Sequence, residues 1–238
     1  CGTVLFAFEF MHFTQTRIAT IDTYGVFFIL LSFLFMWRWI SAPYDRKMRK
    51  SWMDLFLCGL SFGLGCASKW TVLYAGAGLA VLWLLRVIMK YRAVGLQHYG
   101  KELLGTIGLS VVFFVVIPVV IYCLSYIPYG LALGYKMPSM LTSSGYYKLI
   151  WDNQVYMLTY HNGVNQAHPY SSRWYQWLFD VRPILYYLRY DGATKSAFGA
   201  FNSPLIAWGG LAAMISSVFA FWKRRKPQVI LIWVGYLC

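Results

Sequence analysis

Acidic residues are scarce: Asp and Glu together number 8 in 238 residues, and all charged side chains make up only 12% of the chain. That is too little polar surface to cover a soluble domain of this size. The five cysteines stand singly, with no Cys-x-x-Cys pair and no histidine at metal-ligand spacing, so neither a zinc ribbon nor a redox dithiol is expected. Cys1, Cys58, Cys66, Cys123 and Cys238 read as small buried thiols inside apolar runs. There is no Gly-rich phosphate loop, nucleophile elbow or metalloprotease motif, and no sustained repeat or low-complexity tract.

What is abundant is apolar and aromatic, at 59% and 20% of residues. The apolar runs fall at 1–13, 23–40, 55–67, 71–89, 103–127, 204–222 and 228–238. Five are complete and two are cut by the chain ends, which are each too short for the roughly 20 residues that a bilayer core requires. The expectation is an all-α, polytopic helical membrane protein, an internal piece of a longer chain. Three parts are expected: transmembrane helices over 1–127, an outer loop over 128–203, and further transmembrane helices over 204–238. Pro118 should kink the span that contains it, and Pro128 should help to end that span.

The net charge of +13 would suggest nucleic acid in a soluble protein, but the basic residues gather in short loops between apolar runs. Arg46, Lys47, Arg49 and Lys50 form one group, Arg86, Lys90, Arg92 and Lys101 a second, and Lys223, Arg224, Arg225 and Lys226 a third. If the chain turns at Ser68-Lys69-Trp70, all three groups face the cytoplasm, and no nucleic-acid partner is expected. Arg17, Asp22, Lys69 and the long 128–203 connection then lie outside, at the extracytoplasmic face of the cell membrane. Within that loop, Tyr147, Trp151, Val155 and Leu158 recur at helical spacing opposite Lys148, Asp152 and Thr159, which predicts an interfacial amphipathic helix around 147–160.

The candidate site grows from residues 14–22, where Arg17 and Asp22 sit among hydrogen-bonding side chains between apolar runs. An arginine near a helix end at headgroup level either snorkels or holds an anion, and a lipid phosphate is the anion at hand. Asp22 also suits an N-cap for the next helix, with Thr20 as the alternative cap. Glu9, His12 and Thr16 share one stripe of an otherwise apolar helix, suited to function or to interhelical hydrogen bonds. Lys69 beside Trp70 is an interfacial anchor or a second cation for a phosphate. His161 and His168 lack a carboxylate or thiol close enough in sequence to complete a metal site, so no metal is expected.

These residues also carry a resemblance. Residues 8–22, Phe8-Glu9-Phe10-Met11-His12-Phe13-Thr14-Gln15-Thr16-Arg17-Ile18-Ala19-Thr20-Ile21-Asp22, resemble a characteristic segment of bacterial protein O-mannosyltransferases, glycosyltransferase family 39. Two further blocks agree in order: residues 59–74, with Ser68-Lys69-Trp70 at their turn, and the run from His168 through Ser171, Arg173 and Trp177 to Arg182-Pro183. Leu178 departs from the proline usual there, and Phe201-Asn202-Ser203-Pro204 only approximates the family's Gly-Asn-Pro. The resemblance implies a large-C glycosyltransferase fold that moves mannose from polyprenyl-phosphate-mannose to Ser or Thr of a secreted acceptor protein, with inversion and without a cofactor. It implies that Arg17, Asp22, Lys69, His161, His168, Ser171 and Arg173 face the donor phosphate or substrate. The family's acidic pair, thought to supply the base, would lie upstream of residue 1, leaving the fragment inactive alone. The alternatives are a transferase for another polyprenyl-phosphate sugar and, from a different class, a membrane transporter subunit, whose polar groups would spread through the membrane depth.

Overall fold

A computed structural model describes residues 2–18, 20–164, 170–224 and 228–237. Two units emerge: Cys1–Thr23 with Gln166–Trp233, and Tyr24–Asn165 with Val234–Cys238.

The second unit is a helical assembly. After helix α3 (Asp22–Ile40) come α4 (Met48–Ser68) and α5 (Val72–Val94), then a long helical run of α6 (Leu96–Val111), a π-turn (Val112–Val116), α7 (Ile117–Ser125) and α8 (Ile127–Ala132). A 3-10 turn (Ser139–Thr142) leads to α9 (Ser144–Gly163). The expected turn is present: Lys69 leaves α4 in an extended conformation (φ −155°, ψ 134°) and α5 restarts at Val72.

Helix α4 is the centre of this unit, with Leu55, Cys58, Gly59, Phe62, Gly63 and Cys66 all buried. Gly59 and Gly63, four residues apart on one face, let α4 touch the backbone of the π-turn and α7; a Cβ at Gly59 would lie 2.3 Å from the Phe113 carbonyl oxygen. Close backbone approach through small residues is how membrane helices gain contact where lipid removes the hydrophobic incentive. The kink expected at Pro118 takes the form of the π-turn just before it. A wider i→i+5 register accommodates the amide that proline cannot supply. Pro128 does not terminate the helical run either. It sits in the first turn of α8, where no intrahelical N–H is needed.

At the end away from Lys69, charges assigned to open loops are tied into the fold. Buried Asp54 of α4 pairs with Arg38 (3.2 Å) and Arg46. Arg86 is buried on the carbonyl oxygens of Ile40 (3.0 Å) and Ala42 (2.7 Å), beneath the Tyr44 ring. Lys90 binds both Glu102 oxygens at 2.7 and 2.8 Å. Lys47, Arg49, Lys50, Arg92 and Lys101 remain exposed.

The first unit corrects the all-α expectation. Short helices α1 (Gly2–Ala7) and α2 (Phe10–Arg17) replace the single apolar segment expected over 1–13, because Glu9 breaks it. Helix α10 (Trp174–Leu178) precedes an antiparallel hairpin of β1 (Ile184–Asp191) and β2 (Thr194–Ala200), followed by α11 (Pro204–Arg224) and α12 (Gln228–Leu237). The hairpin turns on Gly192 and Ala193, with positive φ at Gly192 alone of the two, as a type II′ turn requires.

Among the described residues four helical stretches are long and apolar enough to cross a membrane: Asp22–Ile40, Val72–Val94, Gln97–Ala132 and Pro204–Lys223. The chain is an integral membrane protein with helical spans. Helix α4 is long enough, at 21 residues, but its apolar stretch is interrupted by Asp54 and a basic first turn.

Candidate functional site

In the first unit the polar stretch is built outward from Glu9. Its carboxylate accepts the His12 N–H at 2.6 Å, capping α2, and its other oxygen accepts the Ser203 N–H at 3.1 Å, just before α11. One side chain therefore satisfies donors at two helix starts. Asp180, at φ 53°, accepts the neighbouring Asn202 N–H at 3.1 Å. Burial raises the Asp180 carboxyl above its ordinary value; the Asn202 amide pulls it down and the Glu9 charge pushes it up. Both carboxylates are thus spent on backbone amides.

Arg17 closes α2, exposed, its guanidinium 4.7 Å from the centre of the Phe13 ring. No carboxylate neutralises it among the described residues. Gln15 donates to the Tyr186 hydroxyl of β1 and Thr20 donates to Gln15, so the hairpin is fastened to the polar stretch. Thr20 is engaged there, and Asp22 lies in the first turn of α3, where a negative charge suits the helix dipole.

Ser171 and Arg173 belong to the same unit. The Ser171 carbonyl accepts from Arg182 at 3.0 Å, and the exposed Arg173 gives its backbone N–H to Gln176 at 2.7 Å at the start of α10. Among the described residues no hydrogen bond or ion pair joins either to Arg17. His168 lies outside the described residues.

Lys69 and His161 lie in the second unit. Lys69 is half-buried and caps α4, and His161 is exposed in the last turn of α9 against Tyr160. Beside Lys69 begins a polar relay that the sequence did not advertise. Trp70 donates to the Tyr122 hydroxyl (2.9 Å), Tyr122 donates to Gln154 of α9 (2.7 Å), and Gln154 donates to Tyr126 (2.9 Å). Tyr146 and Ile150, two turns and one turn before Gln154 respectively, pack with Met140 against Tyr122, Cys123 and Tyr126. Helix α9 therefore meets the span through its Tyr146–Ile150–Gln154 face, while Tyr147, Trp151, Val155 and Leu158 remain exposed.

The relay ends an open-sided apolar groove between α5 and the α6–α7 run. Its two parts, about 520 and 530 Å³, share Phe62, Leu73, Phe114 and Val115. One end is lined by Trp70, Tyr122 and Gln154, and the other by Trp83 and Ser110, which are joined by a 3.0 Å hydrogen bond. From Trp70 to Trp83 the groove follows α5 for roughly 20 Å at 1.5 Å per helical residue. Its walls are almost wholly apolar and aromatic, a surface for hydrocarbon with polar partners at its ends.

Comparisons with known proteins place the chain in a family. The description "Dolichyl-phosphate-mannose-protein mannosyltransferase" matches residues 1–128, and "C-terminal four TMM region of protein-O-mannosyltransferase" matches residues 146–230. Polyprenol-phosphate-mannose–protein mannosyltransferases of Mycobacterium tuberculosis and Corynebacterium glutamicum are similar to the chain. The first is 21% identical over 98% of this chain and 52% of its own length, the second 22% identical over 76% of this chain and 39% of its own length. The chain thus spans about half or less of the curated relatives it matches. No solved structure matches it significantly. With one family description covering more than half of its residues, the chain belongs to the dolichyl-phosphate-mannose-protein mannosyltransferase family.

Proposed function

We propose that this chain forms part of an enzyme of large-C architecture that transfers mannose from polyprenyl-phosphate-mannose to Ser or Thr hydroxyls of a secreted protein, at the extracytoplasmic face of the plasma membrane. The observation that carries the reading is the apolar groove along α5, which ends in the Trp70–Tyr122–Gln154 relay one residue from Lys69. A prenyl chain would lie in the groove, and its anionic head would favour the end beside the positive charge of Lys69. The family name of the relatives fits such a carrier.

In the reaction the acceptor oxygen bonds to the anomeric carbon as the bond from that carbon to the phosphate oxygen breaks, with inversion, and the hydroxyl proton passes to a carboxylate base, the role that the family resemblance gives to its acidic pair. Negative charge then grows on the leaving phosphate, and a cation within reach of it stabilises that charge. Arg17 suits that role: it is exposed, held over Phe13 and not neutralised by a described carboxylate. Asp22, His161, His168, Ser171 and Arg173 are assigned to the substrate-facing surface on the family resemblance. Glu9 and Asp180 are occupied by backbone amides, so neither is assigned as the base. The exposed stripe of α9 would rest in the outer headgroup layer.

The test is mannosyl transfer to a Ser/Thr peptide by the full-length protein. Arg17→Ala is expected to lose about 2–4 kcal/mol of transition-state stabilisation, like removal of an oxyanion donor, whereas Arg17→Lys keeps the charge without the fork and retains partial activity. Near wild-type turnover in Arg17→Ala, with normal insertion, refutes the assignment.

A further inference from the structure

One edge of the β1–β2 hairpin is unpaired. Among the described residues β1 pairs with β2 alone, and β2 is the strand that lies against α2. In a hairpin with a two-residue turn the flanking Asp191 and Thr194 exchange hydrogen bonds, and every second pair repeats this. Arg189 with Ser196 and Tyr187 with Phe198 therefore use their backbone groups within the ladder. The N–H and C=O of Leu188 and Tyr190 point outward from the sheet. Proteins guard such edges with proline, charge or a covering element. Here no proline lies within β1, and the two charges present, Arg189 and Asp191, pair with each other at 3.4 Å.

The edge is fastened to the candidate chemistry. Tyr186, the extra residue at the β-bulge between Leu185 and Tyr187, takes its hydrogen bond from Gln15, two positions before Arg17. A two-stranded ribbon is marginal in water by itself, so a third strand would stabilise it.

We propose that the open edge of β1 docks the acceptor polypeptide as an added strand, an extended Ser/Thr-bearing segment held by its backbone. This rests on the mannosyl-transfer reading above. Strand addition draws its affinity from main-chain hydrogen bonds, which suits an acceptor defined by a hydroxyl more than by its sequence. Side chains alternate across a strand, so every second residue of the guest is turned away from the Leu188 and Tyr190 face. A Ser or Thr there stays free to react.

The experiment measures peptide KM and donor KM for the full-length protein in nanodiscs with polyprenyl-phosphate-mannose. Leu188→Pro removes an outward N–H that the hairpin ladder does not use. A Ser/Thr peptide N-methylated at alternate residues removes the matching donors and leaves the protein unaltered, so the test does not depend on a variant that folds. Each change is expected to raise the peptide KM about tenfold, equivalent to one or two net hydrogen bonds, with the donor KM constant. Methylated peptides, in either register, that are used as well as the parent peptide overturn edge docking while mannosyl transfer itself stands. Failure of the wild-type protein to mannosylate any peptide removes the functional reading and the docking together. If β1 cross-links to β1 of a second copy and the peptide KM does not change, the edge belongs to self-association and the proposal is rejected.

Discussion

Replacing Gly59 with alanine tests the packing that holds the second unit together. The added methyl would stand 2.3 Å from the Phe113 carbonyl oxygen, 2.7 Å from its carbon and 2.9 Å from the Phe113 Cβ. Unbonded heavy atoms prefer separations of about 3.5–4.0 Å, so α4 or the π-turn must retreat by about 1 Å. Two of the three obstacles are backbone atoms, which cannot rotate away as a side-chain tip can. Overpacking of this kind costs about 1–3 kcal/mol, and the upper end applies here. Alanine returns roughly 1 kcal/mol through its better helix propensity, leaving a net loss of about 2 kcal/mol. For a chain of this size that lowers Tm by about 4–8 °C. A thiol-reactive fluorophore reads the transition directly, because Cys58 and Cys66 are buried in the fold. Gly63→Ala, 3.0 Å from the Pro118 Cα and a movable Ile121 methyl, should fall between Gly59→Ala and Gly108→Ala, where nothing lies within 4 Å. Equal melting of the Gly59 and Gly108 variants would refute the argument.

Asp54→Asn leaves Arg38 and Arg46 without their carboxylate; because Arg38 is 54% exposed and can reach water, the expected loss is about 1–3 kcal/mol, less than for a wholly buried pair, measured as Tm in nanodiscs. Gln154→Leu strips a donor and an acceptor from Tyr126 and Tyr122 and should cost about 1 kcal/mol, seen as a Tm drop of about 2–4 °C; no drop would mean that the relay adds nothing to stability. Asp180, raised above 3.8 in the fold, takes up its proton before the unfolded chain does, so the first unit should gain stability as pH falls through that raised midpoint, until the unfolded aspartate also protonates near 3.8. Carboxyl-carbon NMR in Glu9→Gln should then show the Asp180 midpoint moving down, and a midpoint that stays put would refute the coupling.

The helical spans were legible because apolar length is written locally, and the turn at Lys69 because Ser68-Lys69-Trp70 interrupts a run too long for one crossing. The hairpin had a signal that membrane-like composition masked: Gly192-Ala193 follows a β-favouring run rich in tyrosine, with glycine at the first central position as a type II′ turn prefers. Helix α9 was legible by period, but Tyr146, Ile150 and Gln154 form the face that packs, and a helix with aromatics on several sides does not announce which of them meets a neighbour. Glu9 looked like a carboxylate inside a span; its role depends on Ser203, which no local window contains. Arg86 and Lys90 read as loop charges because charge counting is blind to the carbonyls and the Glu102 carboxylate that receive them.

The Glu9 link also sets an order in time. Its two partners are made far apart: the His12 amide follows within three residues, the Ser203 amide only after 194. At roughly 5–20 residues per second, a ribosome leaves that second oxygen waiting on the order of 10–40 s. Until Tyr186 has been made the segment bearing Arg17 has only its local cap, and it acquires its final anchorage when the polypeptide leading into α11 has emerged. A nascent chain halted before Ser203 should therefore keep this early segment more open to protease than a chain released a few tens of residues later.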